Sequence, residues 1–138
     1  MKKSAGLLII QNNKILLGHP TNAAWNNTYS IPKGGVEKGE SLIDTAIRET
    51  YEEVGLLFKK DDIKVDDNEY VIVYTNKKGK AYKKVYYYVI NLKDNTLPEI
   101  IPKEQLQVEE IDWAGFLSKE EASNKIFWRF EKMLDFIY

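Results

Sequence analysis

A mixed β-sheet packed between helices is the α/β architecture this sequence predicts, and three observations predict it. Apolar runs of strand length recur along the chain, one segment carries helical periodicity with a cap at each end, and only one further segment, at the C-terminus, reads as helix. Many strands and two widely separated helices argue against the regular alternation of a doubly wound sheet. The 138 residues suffice for a single domain over 1–138 with a sizeable core.

Ser4 to Ile10 reads as a buried strand, Gln11-Asn12-Asn13 as a turn, and Lys14 to Gly18 as the strand that closes a hairpin. Pro20 to Pro32 is polar and aromatic without periodicity, a long loop of the kind that binds something. Ser41 to Val54 is the clearest helix: Ile43, Ala46, Ile47, Thr50 and Val54 recur at spacings of three and four, Ser41 and Asp44 form a cap pair, and Gly55 supplies the stop. Strands follow at Ile63 to Val65 and Glu69 to Thr75, with a turn at Asn76 to Gly79. In Lys84 to Leu92, Val85, Tyr87 and Val89 alternate with Tyr86, Tyr88 and Ile90, so neither face is polar and the strand belongs inside the sheet. Asn91 to Pro102 reads as loop, Glu110 to Phe116 as the last strand, and Ser118 to Ile137 as a terminal helix opened by a Ser118/Glu121 capping box.

Lys and Arg total 20 against 21 Asp and Glu, so no basic field exists to hold duplex nucleic acid by charge alone. The absence of cysteine excludes disulfides, thiolate metal sites and thiol nucleophiles, and the single histidine, His19, excludes a multi-histidine metal site. The Ala5 to Ile10 run is too short for a signal core or a membrane span, which makes a cytoplasmic protein without a membrane partner the expectation. His19 has no partner visible in the sequence and is read as ordinary.

The chemistry concentrates in Gly34 to Glu40 and the helix that follows. Glu52 and Glu53 stand three and four residues beyond Glu49, placing three carboxylates on one side, opposite the Ile43/Ala46/Ile47 stripe. A solvated acidic face with an Arg48–Glu52 pair is one reading. Yet Glu52 and Glu53 occupy the last turn, where the helix dipole disfavours negative charge, and a hard cation such as Mg²⁺, bound by carboxylates and substrate phosphates, resolves that conflict. Gly34, Gly35 and Gly39 allow close backbone approach, and the Lys33 ammonium stands ready for a phosphate.

The spacing G-x5-E-x7-R-E-U-x-E-E-x-G-U, with U a bulky apolar residue, resembles the signature of Nudix hydrolases. It runs through Gly34, Glu40, Arg48, Glu49, Glu52, Glu53, Gly55 and Leu56, with Thr50 the one departure. The resemblance implies an α/β/α sandwich and an enzyme that uses Mg²⁺ or Mn²⁺ to cleave a pyrophosphate bond in a nucleotide. It further implies that Glu49, Glu52 and Glu53 hold the metals, one carboxylate acting as base. Arg48 would orient the cluster, Glu40 would support it or bind metal, and the Lys33 carbonyl would add a ligand. Relatives often add a glutamate from the loop before the last strand, which leaves Glu104, Glu109 and Glu110 as alternatives, with Gln107 nearby.

Tyr74, 18 residues past Leu56, is similar to the tyrosine that marks diadenosine-polyphosphate hydrolases, and Ile31-Pro32-Lys33-Gly34 resembles branches with phosphate-rich substrates. The resemblance therefore implies a dinucleoside polyphosphate such as diadenosine tetraphosphate. The 5′-triphosphate end of RNA is the alternative within enzymes, and a non-catalytic nucleotide-sensing module the alternative outside them. Lys33, Gly34, Gly35, Tyr74, Trp25 and Tyr29 are the expected substrate contacts, Trp25 and Tyr29 as aromatic partners for a base. Of Tyr82, Tyr86, Tyr87 and Tyr88, most are expected to pack the core.

Overall fold

The computed structural model describes residues 1–63, 69–93 and 96–137. Strands β1 (Lys2–Gln11) and β2 (Lys14–Pro20) form the expected hairpin, and Asn12 and Asn13 take φ values of 53° and 58° in its turn. Two successive positive φ angles match the right-handed twist of the flanking strands, and asparagine adopts them at low cost. The short β3 (Lys33–Gly35) pairs antiparallel with the N-terminal half of β1, Gly6 opposite Lys33. Helix α1 (Leu42–Val54) follows, then the antiparallel pair β4 (Glu69–Thr75) and β5 (Ala81–Leu92), then β6 (Ile111–Leu117) and the short helix α2 (Lys119–Ser123). The sheet runs β4-β5-β1-β2-β6, with β1 and β5 parallel and the other pairs antiparallel. It is the mixed sheet expected from the order of elements.

Alternation along the strands divides the core into two layers. Leu8, Ile10, Val85, Tyr87 and Val89 face α2 and the C-terminal segment, while Leu7, Ile9, Tyr88 and Ile90 face Ala46, Val54 and Leu56 at α1. β5 is covered on both faces, as its continuous apolar run requires. At α1, Ser41 accepts from the Asp44 N–H, and Gly55 at φ 72° returns its N–H to the Tyr51 carbonyl, so both sequence caps form.

The terminal helix is corrected. The Ser118/Glu121 capping box forms, but α2 ends at Ser123 and the chain resumes as 3-10 turns over Trp128–Phe136. Ser123 and Asn124 side chains donate to the Glu120 carbonyl, competing with the helical ladder. The backbone then pairs with the long loop, Tyr29 N–H to Lys125 O and Phe127 N–H to Tyr29 O, which requires extended chain. Phe130, Met133 and Phe136 recur every three residues, the period of a 3-10 turn. Ile63 lies outside any strand, and the rest of the strand expected over 63–65 falls outside the described residues.

Candidate active site

The Gly34 to Glu40 loop and α1 converge on Arg48. Its Nε and Nη2 donate to the two Glu40 carboxylate oxygens at 2.8 and 3.0 Å, Nη1 donates to Glu49 at 2.9 Å and to Glu52 at 3.1 Å, and Nη2 reaches the Gly35 carbonyl at 3.0 Å. Glu40 is also held by the Thr45 hydroxyl at 2.6 Å and the Glu37 N–H. The Arg48 guanidinium beside it brings the Glu40 carboxyl down to about 2, which keeps it ionised and leaves it an anchor for the arginine.

Of the three helix glutamates, only Glu52 is open to solvent, its side chain 44% exposed against 15% for Glu49. Glu53 is turned inward and is 6% exposed, so the expectation of three carboxylates opposite the apolar stripe is corrected. Seven residues separate Glu53 from the buried Ala46, which returns it to within about 20° of the same line on the helix. Burial, together with the charges of Glu49 and Glu110, pushes the Glu53 carboxyl up to about 8, against the opposing pull of the Lys33 ammonium and backbone N–H. Burial likewise raises Glu49, opposed by Arg48. One oxygen of Glu53, Oε2, is buried with no hydrogen-bond partner among the described residues.

Gly34 is required by this geometry. A Cβ there would stand 1.9 Å from Cδ of Glu49, so only glycine lets β3 pass beside that carboxylate. At the other end of the helix, the Gln107 N–H donates to the Glu53 carbonyl, and the Glu110 N–H donates to Gln107. These bonds bind the loop before β6 to the end of α1. Of the three loop glutamates that the sequence left open, Glu110 is the one whose charge bears on both Glu49 and Glu53.

The remaining expected residues divide. Lys33 and Gly34 adjoin the carboxylates, and Gly35 lies exposed beside Arg48. Tyr74, half-buried on β4, carries the Arg129 guanidinium at 4.1 Å and the Lys83 ammonium at 5.2 Å from its ring centre. Lys83 is depressed by burial and by the neighbouring charges of Lys33, Lys2 and Arg129, a cluster of cations that extends from the Lys33 side of the site. Tyr29 is buried at 4% exposure, edge-on to His19 and Trp113, whereas Trp25 is 57% exposed. Tyr87 and Tyr88 pack the core as expected. His19 is not ordinary: it is fully buried, with Nδ1 2.6 Å from Asp112 and Nε2 3.1 Å from the Ala24 carbonyl. A partner 93 residues away leaves no mark in local sequence.

The NUDIX domain family model matches residues 1–135. The chain belongs to the Nudix family. It is 32% identical over 113 residues to the mRNA-decapping enzyme subunit 2 and the m7GpppN-mRNA hydrolase of two Saccharomyces cerevisiae strains, a match covering 80% of this chain. That stretch is only 10% of those proteins, so the chain spans about a tenth of the length of the curated relatives it matches. The C. elegans Ap4A hydrolase in its binary complex superposes with a TM-score of 0.69 at 25% identity, covering 98% of this chain and 93% of that one. The MutT NUDIX hydrolase of Burkholderia pseudomallei shares the fold, with a TM-score of 0.69 at 16% identity over 97% of this chain and 95% of its own.

Nudix hydrolases generally use divalent metal ions, and the donor set here fits one. Glu49 and Glu110 stand near enough for their charges to act on Glu53, and the buried Glu53 Oε2, a hard oxygen donor, has no hydrogen-bond partner among the described residues. Among the described residues no three acidic or histidine side chains are drawn into a closed cage. No helix among the described residues is long and apolar enough to cross a membrane.

Proposed function

We propose that this Nudix chain hydrolyses a pyrophosphate bond in a nucleoside polyphosphate, with a dinucleoside polyphosphate such as diadenosine tetraphosphate as the preferred substrate. The observation that carries the hydrolytic reading is the buried, half-partnered Glu53 carboxylate beside Glu49, Glu110 and Lys33. Glu49, Glu52 and Glu53, with the Lys33 carbonyl, would hold Mg²⁺ or Mn²⁺. Glu40 contributes through Arg48, because both of its oxygens are already engaged. Such a cation, when bound, would lower the pKa of a water and offset charge on the phosphate oxygens. One of the carboxylates Glu49, Glu53 or Glu110 removes the proton of the attacking water, a role for which Glu53, raised by burial to about 8, is suited. The Lys33 ammonium and the Gly34 and Gly35 backbone orient the phosphates.

Support for the dinucleoside polyphosphate comes from the C. elegans Ap4A hydrolase likeness and from Tyr74, whose ring stands amid Lys83 and Arg129. A ring flanked by cations suits a base joined to several phosphates. The yeast relatives named for mRNA decapping favour a second reading, action at the 5′-triphosphate end of RNA. Incubation of diadenosine tetraphosphate, nucleoside triphosphates and 5′-triphosphorylated RNA with Mg²⁺, with products identified by mass, separates the two. Diadenosine tetraphosphate should turn over fastest, and Glu53→Gln should nearly abolish turnover with the fold intact. Faster cleavage of the RNA end would select the second reading. No turnover of any nucleotide would select a nucleotide-sensing module.

A further inference from the structure

Strands β4 and β6 stand at the two ends of the sheet, and the two ends are finished differently. Beyond β6 the preceding loop covers the edge: Ile101 donates its N–H to the Ala114 carbonyl, Phe116 donates to the Glu99 carbonyl, and Ile100 bridges to Gly115. Beyond β4 no described residue pairs with the backbone. Tyr70 to Thr75 carries no charge and no proline, and its one irregularity falls at the end, between Tyr74 and Thr75, so the devices that ordinarily blunt an open edge are missing. Neither face is polar. Tyr70, Ile72 and Tyr74 pack on the core, while Val71 and Val73 point the other way at 37% and 45% exposure. In β5 the same pattern accompanies a neighbouring strand on each side, whereas β4 has a neighbour on one side only. Along the open edge runs a groove of about 320 Å³, walled by β4 from Tyr70 to Val73 and by Trp128, Arg129 and Lys132, with Trp128 65% exposed.

We propose that β4 of a second copy completes this edge, the two strands running antiparallel about a two-fold axis at Ile72. That register sets Tyr70 opposite Tyr74 of the second copy, Val71 opposite its Val73 and Ile72 opposite its Ile72, so apolar side chains meet apolar side chains and no like charges face each other. Opposed residues of an antiparallel pair share a face, so the axis must pass through a residue. Centring it on Val71 or Val73 leaves two of the seven β4 residues unpaired; Ile72 pairs them all. The incoming strand enters the groove and covers Trp128. The cations of the wall do not oppose it: Arg129 is already stacked between Tyr74 and Trp128, at 4.1 and 4.7 Å from the ring centres, and the exposed Lys132 is long enough to keep its ammonium in water. Because β6 is covered, each copy offers one open edge and the assembly closes at two. One strand pair with few side chains is a small interface, for which a Kd on the order of 10 μM is expected. The inference is independent of the reaction the chain performs.

Sedimentation velocity of the full chain from about 1 to about 200 μM tests it: the apparent mass should climb from that of one chain toward that of two. Val73 is paired with Lys84 of β5 within the chain, so a glutamate is accommodated there. Val71→Glu/Val73→Glu sets carboxylate against carboxylate across the axis and should weaken pairing about a hundredfold or more, with thermal unfolding to verify the fold. Val71→Lys/Val73→Glu sets unlike charges opposite each other and should pair within about tenfold of the parent. Alternate amides of β4 should exchange with solvent more slowly as the concentration of the parent chain rises. A parent chain that stays single at the highest concentration, or that grows beyond two, overturns the proposal. So does pairing that survives in Val71→Glu/Val73→Glu, or a Val71→Lys/Val73→Glu chain that pairs no better than it. If the double glutamate variant does not fold, amide exchange of the parent decides alone, and β4 protection that does not change with concentration overturns the pairing.

Discussion

Replacing Glu53 by glutamine should make the protein more stable at alkaline pH while removing its activity. The carboxyl titrates near 4.5 in an unfolded chain and at about 8 in the fold, raised first by burial and then by Glu49 and Glu110. Because the folded value is the higher one, the folded chain binds the proton more tightly. Its contribution is fully present below pH 4.5 and is lost as pH climbs through about 8. At about 1.4 kcal/mol per pH unit between the two values, the ceiling is about 5 kcal/mol, and relaxation and water entry reduce it to about 2–4 kcal/mol. Glutamine keeps an acceptor for the Lys33 N–H and carries no charge to bury. Urea unfolding in chelator at pH 5, 6.5 and 8 measures the difference between the variant and the parent. It should be small at pH 5 and should reach about 2–4 kcal/mol in favour of Glu53→Gln at pH 8, a midpoint displacement of about 1–2 M. A difference that does not change with pH refutes the assigned burial and repulsion.

Three further outcomes follow from the same geometry. Thr50 is fully buried and its hydroxyl has no partner among the described residues, so Thr50→Val should stabilise the protein by about 1 kcal/mol, read as a Tm rise of a few degrees. Gly34→Ala should thrust the Glu49 carboxylate aside, lowering kcat/KM by about a hundredfold or more with a modest loss of stability, because the obstructing atoms end a flexible side chain. Arg48→Lys loses the two-pronged hold on Glu40 and should cost about 1–3 kcal/mol in urea unfolding, along with activity.

The elements that could be read from sequence are those whose causes are local. α1 announced itself through its apolar period and both caps, and β5 through two faces that were equally apolar. The inward turn of Glu53 was also legible, since it lies a heptad from Ala46 on the buried line. What could not be read depends on distant chain. The C-terminal segment has a good helix start, yet backbone pairing with Tyr29 draws it out of helix. His19 acquires its role from Asp112 on β6, and Glu110 was separated from Glu104 and Glu109 only by the bonds that tie its loop to the end of α1. β3 is three residues long and pairs with β1 through glycines of low strand propensity.

Calorimetric titration of the folded protein with MnCl2 or MgCl2, in buffers of different ionisation enthalpy, tests most directly whether the crowded carboxylates serve a cation. Uptake should occur with release of protons below about pH 8, as the metal displaces the proton held by Glu53, and Glu53→Gln should abolish that release. No uptake of either metal, with or without nucleotide, contradicts the account.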